Sequence, residues 1–353
     1  MASLAQPFEV HASMPEDVGL QGFGNARVSQ YEGCLVGLAL GDALGAPVEF
    51  LELDQILKEY GPEGICGLEP WREFRAGYFT DDTQMSLATA RGCIDAYLAL
   101  RHGQPWRPAQ AVYGRYLAWL RTQDIPYMNR APGATCLWSL RTGRMGTVEA
   151  PLNSRKGCGG VMRVAPVGLA FPPGQAFIHG AECAAITHGH PSGYLPAGVL
   201  AGLISCLLEG RSLDRALDFS VAELKRQLGH EETLAAIDAA YRLASDGVPP
   251  SSAIPELGGG WVGEEALAIA LYCALSRRDD WEMAVLMAVN HSGDSDSTGC
   301  ITGAILGALH GLEALPSPWV AQLESVSGIR AIAHDLFRVV REGMEPLSQY
   351  DED

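Results

Sequence analysis

Two short segments of this 353-residue chain concentrate carboxylate and hydroxyl side chains. Residues 80–83 read Thr-Asp-Asp-Thr, and residues 292–297 read Ser-Gly-Asp-Ser-Asp-Ser. Ser, Thr and Asp are preferred helix N-caps, so each segment could simply start a helix. A cap needs only one such side chain. Each segment instead carries two carboxylates that repel each other, Asp81 with Asp82 and Asp294 with Asp296. The two clusters therefore predict a bound divalent cation.

The ligand types indicate which cation. Carboxylates and hydroxyls, without thiolate or paired imidazole, favour Mg²⁺, Mn²⁺ or Ca²⁺ over Zn²⁺. His188 and His190 are two residues apart and cannot share a helix face, so they argue only weakly for zinc. Four Asp together with Glu49 are too many ligands for one Mg²⁺, which keeps several waters. Two cations sharing these carboxylates fit the composition better.

Helical periodicity dominates the rest of the chain. Apolar residues recur at helical spacing in twelve segments, and alternating β-branched runs are almost absent. The segments are 27–45, 82–100, 108–121, 134–142, 175–187, 195–209, 213–228, 232–245, 263–276, 280–289, 297–312 and 327–341. We therefore predict an all-α fold, with a single multi-helix domain over residues 27–345 and less than about 10% strand. Residues 1–26 are predicted to form a polar extension, and residues 346–353 an acidic tail.

Two of these helices carry glycine at every fourth position. The first has Gly33, Gly37, Gly41 and Gly45, and the second has Gly299, Gly303, Gly307 and Gly311. Each glycine costs a helix roughly 1 kcal/mol relative to Ala, so the repeats need a reason. Either each bare ridge packs against whatever element lies nearby, or the two ridges pack against each other. In an antiparallel pair, the end of the first helix, near Glu49, would meet the acidic start of the second.

Composition excludes several classes of function. The chain has 25 basic and 42 acidic residues, a net charge of −17, which would repel a nucleic acid. The longest nearly apolar run, Leu195–Leu208, has 14 residues and contains Pro196, whereas a membrane span needs roughly 20. Nine scattered cysteines without a Cys-x-x-Cys pair suit buried thiols in a reducing cytoplasm. We therefore expect a cytoplasmic protein that does not bind nucleic acid and has no membrane span.

Five segments together resemble the signature blocks of the ADP-ribosylglycohydrolase family. They are GDALGAPVE (41–49), FTDDTQM (79–85), KGCGGVMR (156–163), THGHPSG (187–193) and HSGDSDSTG (291–299), and they follow the family's order. The resemblance implies a compact all-α domain around a cleft that holds two Mg²⁺, for which Mn²⁺ can substitute. By motif, the metal ligands would be Thr80, Asp81, Asp82, Asp294, Asp296 and Ser297. Glu49 would serve as a further ligand or as a catalytic carboxylate.

The resemblance also implies a substrate-binding surface. The 156–163 block looks like the family loop that wraps the diphosphate and distal ribose of ADP-ribose. Gly157, Gly159 and Gly160 would let backbone N–H groups approach a phosphate, with Cys158 between them. This Gly-Cys-Gly form looks more like the arginine-directed members than the serine-directed ones. His188 and Tyr194 would lie along the ADP-ribose, Tyr194 as a stacking surface for adenine, although both residue types also occur as ordinary core side chains.

The implied reaction is hydrolysis of the glycosidic bond that joins ADP-ribose to a modified protein, with ADP-ribose as product. Asp81, Asp82 and Glu49 would be the catalytic carboxylates, because carboxylates near the anomeric carbon stabilise an oxocarbenium-like state. ADP-ribosylarginine is the expected substrate. ADP-ribosylserine, an O-acyl-ADP-ribose and a non-catalytic protein that binds an ADP-ribosylated partner or a transferase remain open alternatives.

Overall fold

The computed structural model describes residues 26–348, which fold into sixteen α-helices and four short 3₁₀- or π-helical turns. The α-helices are α1 Val28–Gly45, α2 Leu53–Tyr60, α3 Asp81–Arg101, α4 Pro108–Thr122, α5 Ala134–Arg141, α6 Ala165–Ala170, α7 Pro173–Ala185, α8 Pro191–Leu208, α9 Leu213–Leu224, α10 Glu231–Ser245, α11 Pro250–Leu257, α12 Gly263–Ser276, α13 Trp281–Val289, α14 Ser295–His310, α15 Ser317–Gln322 and α16 Val326–Phe337. Apart from residues 26 and 346–348, the predicted extension and tail lie outside the described residues.

The prediction of an all-α fold is confirmed. In residues 26–348 the extended pairings are two isolated bridges, Trp71 with Phe74 and Gly157 with Val262. All twelve predicted helices are present, and the sequence analysis missed the short helices α2, α6, α11 and α15. Their six to eight residues are too few for a clear period, and α11 begins inside the Pro-containing stretch 247–252. Proline at the first helical position fits this start, because its N–H would be unpaired there anyway.

Helices α1 and α14 form the centre of the domain and run antiparallel. A Cβ atom built on Gly37 would lie 2.5 Å from the carbonyl oxygen of Gly303, and one on Gly299 would lie 2.5 Å from that of Gly41. The two glycine ridges therefore face each other. Of the two packing predictions, the one in which the ridges pack against each other is confirmed. Helices α3 and α16 pack on α1, whereas α8, α12 and α13 pack on α14.

Helix α8 has the length and hydropathy of a membrane span, with a mean hydropathy of 1.5 over 18 residues. In the structure 94% of this segment is buried inside the protein, where it contacts α7, α9 and α12. Its apolar character is therefore explained by its place in the core. All nine cysteines are free thiols, and seven of them are buried.

The glycine contact makes a test of the central helix pair straightforward. In Gly41→Ala the new methyl group would overlap the backbone of Gly299, so we expect the free energy of unfolding to fall by about 3 kcal/mol. Gly114, inside α4, has open space around its Cα. Gly114→Ala should therefore raise the free energy of unfolding by about 0.5–1 kcal/mol. Urea titration measures both, and equal effects of the two substitutions would contradict the close packing.

Candidate metal centre

The acidic residues converge because three helix ends meet at one point. Gly45, the last residue of α1, lies so close to the backbone of Asp296 that a Cβ atom there would overlap its Cα. The chain then turns, with the Glu49 N–H donating to the Gly45 carbonyl at 2.9 Å, and so places Glu49 beside α14. Helix α3 delivers Asp81 and Asp82 in its first turn. The glycine ridges thus position the site as well as the core.

The predicted ligands lie together on this meeting point. Glu49, Asp294 and Asp296 each offer a carboxylate oxygen within 4.8 Å of the other two. The Ser297 hydroxyl donates to Asp82 Oδ2 at 2.9 Å and so joins the starts of α14 and α3. Residues from both ends of the sequence therefore share one cluster.

Helix capping does not account for these carboxylates. In α3 the cap is Thr80, whose side chain accepts from the Asp82 N–H at 3.2 Å. Asp294 occupies the N-cap position of α14, yet its side chain makes no capping hydrogen bond there. Asp81 accepts from the Gly133 N–H at 3.3 Å, outside its own helix. In α3 one hydroxyl therefore meets the capping requirement, and in α14 Asp296 Oδ1 accepts from the Ser297 N–H at 2.9 Å. One acceptor at each helix start is enough, so capping does not explain the other carboxylates.

Burial makes the cluster electrostatically unfavourable without a cation. The side chains of Asp81, Asp82, Asp294 and Asp296 are 3–4% exposed, and within residues 26–348 none of them forms a salt bridge. Burial raises the pKa of Asp81 to about 8, and repulsion by neighbouring carboxylates adds to the shift. Burial, together with repulsion by Asp294 and Asp81, raises the pKa of Glu49 to about 9. For Asp82 and Asp296 the pKa is raised well above the usual range by the same two causes.

The sequence analysis missed a further acidic residue, Asp42. This fully buried side chain accepts hydrogen bonds from the Thr80 N–H at 2.9 Å, the Thr83 N–H at 2.9 Å and the Thr83 hydroxyl at 2.5 Å. Burial raises its pKa to about 6, and the bonds from Thr83 and Thr80 oppose the shift. Asp42 thereby fastens the end of α1 to the turn that carries Asp81 and Asp82. The available signal was a single Asp within the otherwise apolar residues 33–45 of α1.

The predicted phosphate loop borders the acidic cluster. Residues 158–160 form one 3₁₀ turn, and the Cys158 thiol donates to Asp294 Oδ2 at 2.6 Å. A Cβ atom on Gly160 would lie 2.6 Å from the carbonyl oxygen of Gly193, so only glycine fits there. The structure therefore brings the glycine turn beside the carboxylates. Phosphate binding by Gly157, Cys158, Gly159 and Gly160 stays a prediction.

His188 and Tyr194 are more buried than a simple substrate surface would be. His188 is 2% exposed and lies against the inner side of the glycine turn, where a Cβ atom on Gly157 would be 3.4 Å from its Nε2. Tyr194, in the first turn of α8, is 7% exposed and packs in the core. Their predicted contacts with ADP-ribose stay predictions.

Two exposed aromatic rings edge the site, and the sequence analysis did not single them out. Phe50 directly follows Glu49, is 64% exposed and adopts a left-handed φ of 67°, which is rare for a bulky residue. Its ring stacks on that of Trp261, with centroids 5.2 Å apart. The Trp261 carbonyl accepts from the Cys158 N–H at 3.2 Å, which ties this pair to the glycine turn.

The donor set fits a hard divalent cation. Carboxylate oxygens dominate, hydroxyls of Thr80 and Ser297 accompany them, and the imidazole nearest in sequence, His291, instead bonds Thr298 Oγ1 at 2.9 Å. Oxygen ligands of this kind bind Mg²⁺, Mn²⁺ or Ca²⁺. A bound cation would also offset the mutual repulsion of these carboxylates.

The raised pKa values give a pH test. The buried carboxyls bind protons more tightly in the folded chain than in the unfolded chain, so their contribution to stability is lost as pH rises through the folded pKa. Metal-free protein should therefore lose Tm from about pH 5 to about pH 9, and added Mg²⁺ should restore it at high pH. The expected slope of Tm against pH is negative, whereas carboxylates stabilised by salt bridges would give a positive slope.

Asp82→Asn and Asp296→Asn should both flatten this slope, because each removes one charge from the cluster. Both should weaken Mn²⁺ binding and lower turnover by orders of magnitude, roughly a hundredfold or more. Asp238→Asn, at an exposed position of α10, is the matched control and should change none of these. Full turnover in either cluster variant would contradict a shared cation centre. An unchanged slope of Tm against pH in the metal-free variants would contradict it as well.

The sequence and the fold both match known proteins. Residues 24–345 match the family profile described as ADP-ribosylglycohydrolase. ADP-ribosyl-[dinitrogen reductase] glycohydrolase of Rhodospirillum rubrum is 26% identical over 83% of this chain and 89% of its own length. Human ADP-ribosylhydrolase ARH3 is 27% identical over 90% of this chain and 95% of its own length.

A third relative, ADP-ribosylarginine hydrolase Tri1 of Serratia proteamaculans, is 26% identical over 88% of this chain and 80% of its own length. A solved structure titled ADP-ribosylglycohydrolase-related protein complex superposes with a TM-score of 0.67 and 27% identity, covering 89% of this chain and 99% of that one. The profile match spans nearly all of the described helices and all five motif blocks. The chain therefore belongs to the ADP-ribosylglycohydrolase family of hydrolases.

Proposed function

We propose that this protein removes ADP-ribose from arginine side chains of modified proteins, by hydrolysis of the N-glycosidic bond at the distal ribose. The observation that carries the proposal is the cluster of Glu49, Asp81, Asp82, Asp294 and Asp296, whose four aspartates are buried and which forms no salt bridge within residues 26–348. Arg72 is a basic side chain near enough to act on Glu49, and it only partly offsets the rise in the pKa of that group. Such a cluster attracts a cation, and the guanidinium group of a modified arginine is a cation as well.

The reaction breaks the bond between C1″ of the ribose and the guanidine nitrogen. Water supplies the hydroxyl group that bonds to C1″ and one proton that leaves with the guanidine, so the products are ADP-ribose and an unmodified arginine. Positive charge develops on the ribose ring as the bond breaks. The carboxylates of Asp81 and Asp82 are suited to stabilise that charge, because they are held rigidly by the α3 start and by Asp42.

Glu49 is the carboxyl that we assign to proton transfer. It lies on a turn and is half-exposed, whereas the four aspartates of the cluster are buried. A pKa raised to about 9 means that, before a cation binds, this group carries a proton at neutral pH. Such a group can give a proton to a departing guanidine or take one from water, depending on the charge beside it.

We assign Thr80, Asp81, Asp82, Asp294, Asp296 and Ser297 to two Mg²⁺. Bound cations would supply Lewis-acid charge that polarises ribose oxygens and lowers the pKa of water. The glycine turn 157–160 would hold the diphosphate with its backbone N–H groups, and His188 would lie beneath it. We also place the reaction in the cytoplasm, which suits nine free thiols.

The arginine linkage rests on two lines of support. A relative of similar coverage is named ADP-ribosylarginine hydrolase. The positive charge of the guanidinium group also complements the acidic cluster, whereas a serine hydroxyl or an acyl ester brings no charge to it. Other relatives carry the name ADP-ribosylhydrolase ARH3, so the linkage must be measured on this chain.

A panel of linkages tests the proposal. Pure protein with Mg²⁺ should hydrolyse ADP-ribosylarginine with a kcat/KM at least about tenfold above that for ADP-ribosylserine or O-acetyl-ADP-ribose. Release of ADP-ribose, followed by chromatography, is the measurement. A preference for the serine or ester linkage would overturn the arginine assignment, and tight binding of ADP-ribose without turnover of any substrate would indicate a binding protein.

Metal exchange tests the cation assignment separately. Chelation followed by dialysis should abolish hydrolysis of the best substrate, and Mg²⁺ or Mn²⁺ should restore it. Zn²⁺ should restore it poorly, because the proposed ligands are hard oxygens. Hydrolysis that survives exhaustive chelation would contradict the metal-assisted reaction, and full activity with Zn²⁺ alone would contradict the choice of Mg²⁺.

A further inference from the structure

Arg163 is a fully buried cation without a carboxylate partner among residues 26–348. Its guanidinium donates to the Thr187 hydroxyl at 2.6 Å and to the Cys136 sulfur at 3.3 Å, and it lies 4.3 Å from the centre of the Tyr116 ring. Its Nε has no hydrogen-bond partner. A buried, unpaired charge is costly, so its position needs a reason beyond packing.

The Thr187 hydroxyl links Arg163 to His188. Its oxygen accepts from Arg163, which can only donate, and lies 2.9 Å from His188 Nδ1. The hydroxyl hydrogen has no acceptor among these contacts other than Nδ1, and leaving it unpaired in the core would cost about 1–3 kcal/mol. Thr187 therefore donates to Nδ1. Because burial and the Arg163 charge lower the pKa of His188 to about 3, the ring is neutral and carries its one proton on Nε2.

The protonated nitrogen faces the glycine turn. Cβ atoms built on Gly157 and on Gly159 would each lie 3.4 Å from His188 Nε2. The Cys136 sulfur, which Arg163 contacts, also lies beneath this turn, 3.9 Å from the Gly159 carbonyl oxygen. The inner side of the turn therefore combines an N–H donor with a nearby unpaired positive charge, and both favour an anion.

We infer that Arg163 and Thr187 are positioning residues for the diphosphate of the substrate: through Thr187, Arg163 holds His188 as an Nε2–H donor directed at the glycine turn. The inference rests on the proposed function, since it takes the anion to be a nucleoside-diphosphate sugar. The opposite tautomer would present the Nε2 lone pair to the phosphate, which is repulsive. The unpaired guanidinium adds attraction for the same negative charge.

We call the chain of hydrogen bonds from Arg163 through Thr187 to His188 the relay, and two measurements test it. In ¹⁵N-labelled wild-type protein, the His188 ring should show its proton on Nε2, the signal being identified by its loss in His188→Gln. A proton on Nδ1 would overturn the inference, whether or not any ligand binds. This measurement does not depend on catalysis or on the identity of the substrate.

The second measurement is calorimetric binding of ADP-ribose in Mg²⁺ buffer. Thr187→Val keeps the side-chain shape and removes the relay, so ADP-ribose should bind about tenfold more weakly, the size expected for a hydrogen bond to a charged group. Thr302→Val is the matched control, since Thr302 is also fully buried and its hydroxyl bonds only within α14, to the Thr298 carbonyl at 2.7 Å. Adenosine, which lacks the diphosphate, should bind both variants as it binds wild type.

A pair of substitutions at His188 guards against misfolding of the Thr187 variant. His188→Gln places an amide N–H near the Nε2 position and should keep ADP-ribose binding within about threefold, whereas His188→Asn, which reaches only the Nδ1 position, should lose about tenfold. Equal affinities of Thr187→Val and wild type, or of the Gln and Asn variants, would overturn the relay alone. Failure of wild-type protein to bind ADP-ribose would overturn the proposed function with it.

Discussion

The contact between the backbones of α1 and α14 is the constraint on which the rest of the molecule depends. Glycine at every fourth position removes the side chains that would separate the two helices, and Gly37 and Gly299 lie against carbonyl oxygens of the opposite helix. At such close approach the register is fixed, because sliding one helix along the other would place a side chain where no room exists. The end of α1 must therefore meet the start of α14. The acidic cluster is built on that meeting point.

Desolvation and mutual repulsion destabilise the ionised carboxylates of the cluster by more than the surrounding fold stabilises them. The N-terminal ends of α3 and α14 carry partial positive charge, which favours Asp81, Asp82 and Asp296 in their first turns. That effect is worth about 1 kcal/mol per group, less than the desolvation of several buried carboxylates. Asp42 adds hydrogen bonds to the α3 turn but also another negative charge. Protonation or a bound cation must therefore supply the rest of the stabilisation that the cluster needs.

The features that the sequence could predict are those that repeat at a fixed spacing. The helical period identified the long helices. The four-residue glycine interval offered the central pair as one of two packing predictions, and from that pair the approach of Glu49 to Asp294 and Asp296 follows. Asp42 was missed because its partners, Thr80 and Thr83, lie 38 and 41 residues away. The contact between Arg163 and Thr187 escaped for the same reason, since these residues are 24 positions apart. A single hydrogen bond between distant side chains leaves no periodic trace in a sequence.

The acidic cluster and the buried Arg163 give the site charges of both signs, which the net charge of −17 of the whole chain does not reveal. The Cys158 thiol contacts Asp294, and the Cys136 sulfur, which Arg163 contacts, lies 3.9 Å from the Gly159 carbonyl oxygen of the same turn. An ADP-ribosylated arginine has the matching polarity, with a cationic acceptor at one end of the ribose and an anionic diphosphate at the other. On the proposed function, this match would orient the substrate so that the bond between ribose and guanidine lies over the carboxylates. On the proposal, an acceptor without charge would lack the attraction to the carboxylates, which is why we propose the arginine linkage.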